Sequence, residues 1–192
     1  MKLQTGSKTF YTRRISREDA GDILTWRYEG VRSVYDLPGG EAALRELQEP
    51  LNYALCETFG GKLLAFATLG PAAGLPLSEL AGIYEDENYT DIAVGLRPER
   101  CGRGLGKYIV SAAVLLAGRL FPGDGFRVTV ARNNPAALTI YKAFGFTEIA
   151  EFTGEILHPD KKGNIIATET PMEILIAEAE LAGKLSSGEF LL

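Results

Sequence analysis

The residues able to do chemistry in this sequence are concentrated between positions 91 and 146. Gly102, Gly104 and Gly106 stand at alternate positions in the run from Arg97 to Lys107, which follows a strand-like stretch and opens an apolar helix. The first turn of a helix leaves backbone N–H groups without partners, and these groups with the helix dipole favour an anion. Glycines let the backbone approach that anion and adopt positive φ. Arg103 and Lys107 add charge-assisted donors. With Arg97 and Arg100 they gather positive charge on a chain whose net charge is −5. A pyrophosphate suits such a turn. The alternative is a solvated loop whose glycines serve tight geometry alone.

Two nucleotide-binding patterns fail at this turn. A Walker A loop needs Gly five residues before Gly106 and Ser or Thr after Lys107, where Cys101 and Tyr108 stand. The dinucleotide fingerprint is G-x-G-x-x-G, whereas this run is G-x-G-x-G. Nucleotide hydrolysis and dinucleotide binding are therefore disfavoured. Downstream, Asn134 immediately precedes a second helical stretch and offers both donor and acceptor. Tyr141 follows seven residues later, about two helical turns on, and so shares its face.

The run from Pro98 to Gly106 resembles the acetyl-CoA pyrophosphate loop of the GNAT superfamily of N-acetyltransferases. That pattern is Gln or Arg, two residues, Gly, any residue, then Gly or Ala. Gly104 and Gly106 match, while Cys101 replaces the usual Gln or Arg and leaves Arg100 as a substitute contact. The stretch from Asn134 to Phe146 resembles the second GNAT signature, N-x-x-A-x-x-x-Y-x-x-x-G-F, at every marked position. Together the resemblance covers about residues 9 to 176.

The resemblance implies acetyl transfer from acetyl-CoA to a primary amine by direct attack in a ternary complex. Its co-substrate contacts would be Val94, Gly95, Leu96, Cys101, Gly102, Arg103, Gly104, Leu105, Gly106, Lys107, Asn134 and Ala137. Val94 to Leu96 would pair with pantetheine, Gly95 would ease a bulge, and the Leu96 N–H would meet the developing oxyanion. Ala137 is small enough for close passage. Tyr141 would protonate the leaving thiolate, as a phenol with a pKa near 10 can do at neutral pH. Gly145-Phe146 reads as a helix stop and a core aromatic.

An amine arrives mostly protonated at neutral pH, so a base must help it. Asp91 is the first candidate, because a charge inside a strand needs a reason, and Glu87 is the second. The alternative for Asp91 is a solvated strand edge. Trp26, Tyr28, Tyr35 and Asp36 would border the acceptor site, with Asp36 attracting a cation; the alternative is core and surface packing. Glu85, Asp86 and Glu87 either steer an ammonium or form a solvated loop. His158, the sole histidine, is expected in an exposed turn, and no His/Cys cluster points to a metal. Cys101, beside a basic helix start, is expected to have a lowered pKa without being a nucleophile.

The positioning elements follow from periodicity. Strands are predicted at Thr9 to Ile15, Asn52 to Phe59, Lys62 to Leu69, Tyr89 to Leu96, Phe126 to Ala131, Phe146 to Leu157 and Asn164 to Ile176. Helices are predicted from the Ser16 cap to Tyr28, then at Glu41 to Gln48, Leu105 to Leu120 and Pro135 to Phe144, with a helical tail after Ala177. Pro71 to Asn88 and Leu157 to Gly163 read as loops. The fold class is α/β (α+β): a central mixed, mostly antiparallel sheet of about seven strands flanked by about four helices.

One domain over 1–192 is expected, with its core at 9–176 and a C-terminal tail at 177–192. Hydrophobic and charged fractions of 46% and 23% are ordinary for a globular chain. Two cysteines, no membrane-length apolar run and a polar first stretch lead to an expected cytoplasmic location. The acidic balance argues against nucleic acid. The expected partner is a small-molecule or peptide amine, and the expected assembly a monomer or homodimer. Two other functions stay open: a non-catalytic acyl-CoA-binding module, and a transferase for another acyl-CoA.

Overall fold

The computed structural model describes residues 1–74 and 81–188. In chain order its elements are β1 (Lys2–Thr5), β2 (Lys8–Arg14), α1 (Arg17–Ile23), α2 (Glu41–Leu47), β3 (Asn52–Cys56), β4 (Leu63–Leu69), α3 (Ala81–Tyr84), β5 (Tyr89–Leu96), α4 (Gly106–Leu120), β6 (Gly125–Ala131), α5 (Pro135–Ala143), β7 (Thr147–Pro159), β8 (Ile165–Ala177) and α6 (Glu180–Ser187). Short 3₁₀ turns occupy Gly30–Tyr35, Gly70–Ala73 and Pro98–Arg100. The strands form one eight-stranded sheet in the order β1-β2-β3-β4-β5-β6-β8-β7. Every neighbouring pair is antiparallel except β5–β6.

Strand alternation divides the core between the two faces. On β3, Tyr53 and Leu55 join the large cluster around α4, while Ala54 and Cys56 join a smaller one with Ile23, Trp26 and Leu47. Helix α4 is buried continuously from Ile109 to Ala117. It is apolar nearly all round because the sheet, α5 and α6 surround it.

The fold is the predicted mixed sheet, with one more strand. That strand is β1, which turns into β2 at Gly6 (φ 56°) and Ser7 and buries Leu3 and Thr5. The first helix ends at Ile23 rather than Tyr28, because the Thr25 and Trp26 N–H groups bond back three residues to the Asp22 and Ile23 carbonyls and tighten the chain out of the helix. Between Pro71 and Asn88 the chain is not loop throughout, since α3 lies there; 75–80 and the last tail residues, 189–192, fall outside the described residues. His158 is 5% exposed, lies within β7 and has Nε2 2.8 Å from Thr168 Oγ1. The expected exposed turn is shorter than the motif suggested, because both strands run thirteen residues and reverse only around Asp160 to Asn164. Among the described residues no helix is long and apolar enough to cross a membrane.

The α1 start shows how local chemistry fixes this face. Ser16 Oγ accepts the Asp19 N–H, and the Asp19 carboxylate accepts the Ser16 N–H at 2.9 Å and the Arg13 guanidinium. Burial alone would raise the Asp19 pKa, but the Arg13 and Ser16 donors outweigh it and hold it at about 2. This contribution is present above the unfolded aspartate pKa of about 3.9 and is lost as pH falls through the folded value. Asp19→Ala is expected to cost about 1–2 kcal/mol at neutral pH and to flatten stability between roughly pH 4 and 2, measured by urea unfolding across that range.

Candidate active site

The site begins where two parallel strands part. Strands β5 and β6 pair only from Tyr89 to Asp91 with Gly125 to Arg127. Beyond that, β6 stays with β8 while β5 stays with β4, and a gap opens between them. Arg97 N–H donates to Leu64 C=O across β4–β5, so Arg97, Gly95 and Ala93 are the residues bonded to β4. The amides of Val94 and Leu96 consequently face the gap. The β4–β5 register runs unbroken, so the opening needs no bulge at Gly95. A Cβ at Gly95 would lie 2.2 Å from the Phe66 ring, and the glycine is there to admit that ring.

A cleft of about 670 Å³ passes through this gap. Ile109 and Val110 of α4 and Ile140 and Tyr141 of α5 line it on one face of the sheet; Phe66, Tyr28 and Asp36 line it on the other. The glycine turn closes one end. Gly102 (φ 73°) and Gly104 (φ 70°) adopt conformations that L side chains rarely take, and the space a Cβ would enter at each is open for 4 Å around. A Cβ at Gly106 would lie 2.9 Å from Ile140 Cδ1, so this glycine lets α5 approach α4. Leu105 caps α4 without a side-chain hydrogen bond; the Tyr108 N–H bonds to the Leu105 carbonyl at 3.0 Å, which leaves the Gly106 and Lys107 N–H groups of the first turn to a ligand. Asn134 caps α5, its Oδ1 accepting the Ala137 N–H at 3.3 Å.

Tyr141 is 4% exposed and stands edge-on to Phe146 at 5.2 Å, yet lines the cleft. Burial, and then the neighbouring Tyr35, push its phenol well above the ordinary tyrosine pKa. Among the described residues no hydrogen bond holds its hydroxyl. Tyr35 lies beside it, its hydroxyl accepting the Ala131 N–H at 3.3 Å and meeting the Asn134 side chain. Tyr28 donates its hydroxyl to Leu96 C=O at 2.9 Å, and its N–H goes to Asp36 Oδ1 at 2.8 Å. Asp36 is 5% exposed.

The structure gathers most of the predicted residues at the cleft: Val94, Gly95, Leu96, Cys101, Gly102, Gly104, Leu105, Gly106, Asn134, Ala137 and Tyr141 all line it. Arg103 and Lys107 do not. Arg103 is exposed, and the Lys107 ammonium lies 5.2 Å over the Tyr108 ring. Arg100 does not line the cleft, and its Nη2 is held by Glu57 at 2.9 and 3.1 Å. The Cys101 thiol is pushed up rather than down, chiefly by burial, with Sγ turned to the Leu96 and Arg97 carbonyls. Trp26 packs in the core against Phe66 and under Arg97.

Asp91 is the main correction. It does not line the cleft. Both its oxygens accept from Arg127, at 2.7 and 2.7 Å, with the two side chains 8% and 2% exposed. Arg127 also donates to the carbonyls of Ile83 and Tyr84 around α3. The pair therefore anchors the segment carrying Tyr84, whose hydroxyl lies 2.6 Å from that of Thr129 at the cleft wall. Glu87 is exposed and also outside the cleft. Sequence reasoning missed Arg127, Phe66 and Arg32. For Arg127 a signal existed: opposite charges within two strands that both look buried.

Solved structures share this architecture. Spermidine N-acetyltransferase of Vibrio cholerae, in complex with CoA and spermine, matches with a TM-score of 0.61 at 13% identity over 90% of this chain and 97% of that one. A putative acetyltransferase of Salmonella typhimurium with acetyl-CoA matches with a TM-score of 0.56 at 14% identity, covering 88% and 94%. The ribosomal-protein-S18-alanine N-acetyltransferase of Escherichia coli gives 0.57 at 16%, again over 88% and 94%. No family model and no curated protein sequence matches the chain. The chain shares the fold of these acetyltransferase structures.

Proposed function

We propose that this protein is an N-acetyltransferase that moves the acetyl group of acetyl-CoA to an amine. The observation that carries the reading is the parting of β5 from β6, which turns the Val94 and Leu96 amides into a cleft between an uncapped helix start and the buried Tyr141 hydroxyl. The two neighbours bound to CoA species support the same reading.

The chain's own groups fit acetyl-CoA from end to end. The first-turn amides of α4, reached over Gly102 and Gly104, hold a pyrophosphate. Val94 offers backbone pairing to the pantetheine arm, and the Leu96 N–H stabilises negative charge on the acyl oxygen. Tyr141 holds the proton that the departing thiol requires, and burial keeps it protonated. With Asp91 committed to Arg127, the carboxylate placed to take the amine's proton is Asp36, which is buried and lines the cleft.

The test is release of CoA, read with a thiol reagent, in the presence of acetyl-CoA and a panel of amines. Amine-dependent release is the expected result. Binding of acetyl-CoA without release for any amine would instead indicate a binding module. Gly104→Asp is expected to weaken acetyl-CoA binding at least about ten-fold, because a carboxylate and a Cβ at positive φ both oppose the pyrophosphate. Calorimetry checks this, and unchanged affinity would place the co-substrate elsewhere.

A further inference from the structure

We infer that the acceptor is a monoamine with an apolar body, its ammonium held by Asp36; this rests on the acetyltransferase reading. Charge narrows the choice first. Among the described residues that line the cleft, only Arg32, Asp36 and Glu46 carry formal charge. Arg32 is turned to the Cys101 side chain at the glycine-turn end. Glu46 is exposed at the rim, where water screens it. Asp36 alone is a buried carboxylate. One of its oxygens accepts the Tyr28 N–H, and no ion pair to it exists among the described residues.

A buried carboxylate without a cation is costly, and a substrate ammonium supplies the missing charge. The location suits the reaction. Tyr28 gives its backbone N–H to Asp36 and places its hydroxyl on Leu96 C=O, so one tyrosine separates the carboxylate from the opening in the sheet.

The remaining walls decide what the ammonium is attached to. Leu37, Phe66, Ile156, Leu157 and Met172 surround this half of the cleft. An aryl or alkyl body loses water there at a gain of roughly 25 cal/mol per Å². A polyamine would bring further ammonium groups against the same walls, where no second buried carboxylate among the described residues meets them, and each would forfeit hydration. The chemistry thus differs from that of the neighbour that holds spermine.

The experiment is calorimetry on the CoA-saturated protein with 2-phenylethylamine, its neutral analogue 2-phenylethanol, hexylamine and spermidine. Turnover of acetyl-CoA is followed with the three amines in parallel. Both monoamines are expected to bind at least about ten-fold more tightly than 2-phenylethanol and spermidine. Asp36→Asn, which keeps an acceptor for the Tyr28 N–H, is expected to erase the preference of 2-phenylethylamine over the alcohol while CoA affinity stays unchanged. Equal binding of amine and alcohol, no monoamine binding, or spermidine binding as tightly as the monoamines would each overturn the inference. Turnover of spermidine alone would overturn it and leave acetyl transfer standing. Monoamine binding lost in Asp36→Asn, with no turnover of any amine, would uphold the ammonium site and remove the acetyltransferase reading.

Discussion

Asp91→Ala destabilises the fold by about 3–5 kcal/mol, the range for removing one partner of a buried ion pair. The effect is large because Arg127 cannot follow its lost partner into water. Its side chain is 2% exposed, stands beside Asp91 on the sheet face under α3 and is bonded to the carbonyls of Ile83 and Tyr84. An uncompensated guanidinium would then remain buried between the sheet and α3. Adding Arg127→Met removes that charge and recovers part of the loss, but the carbonyls around α3 are left without their donor, so recovery is incomplete. Urea unfolding of the two single variants and the double variant measures the coupling. A loss below about 1 kcal/mol for Asp91→Ala, together with abolished turnover, would return Asp91 to the chemistry.

The same pair shows where sequence reasoning stops. Asp91 inside a strand is legible as an anomaly, but its partner lies 36 residues away on a strand whose register no local pattern specifies. Phe66 and Gly95 pose the same problem: the glycine is explained only by a ring on the facing strand. Local signals carry much further. The Ser16–Asp19 capping box, the Asn134 cap and the positive-φ glycines of the turn are each set by neighbours within a few residues, and all stand where their pattern puts them. The short strand β1 escapes detection because four residues with two inward side chains give too little alternation to register. His158 is misplaced by its surroundings, because the run from Leu157 to Gly163 looks like one turn, while β7 takes in Leu157, His158 and Pro159 and leaves only Asp160 to Asn164 to reverse the chain. The cofactor half of the cleft is visible in the sequence as two short runs of residues. Its acceptor half is visible only in part: Tyr28, Tyr35 and Asp36 line the cleft, whereas the walls from β4 and the far β7–β8 hairpin have no local signal.

Tyr141→Phe is expected to lower kcat by about 100-fold, inside the usual range for loss of a general acid, while acetyl-CoA affinity and stability stay near wild type. The substitution is a clean probe of the chemistry. The hydroxyl has no hydrogen-bond partner among the described residues, so no buried donor or acceptor is orphaned by its removal. The ring and its edge contact with Phe146 remain. The pH profile gives a second, independent reading. Burial and the adjacent Tyr35 raise the phenol's pKa, so the acid form persists beyond the ordinary tyrosine value of about 10. An acid catalyst fails only as pH rises through its own pKa, hence kcat should show no loss from this group up to about pH 10. Single-turnover acetyl transfer separates the chemical step from product release. An unchanged chemical rate in Tyr141→Phe would take the proton-donor role from this residue and leave water as the donor, despite a tyrosine set in the cleft wall.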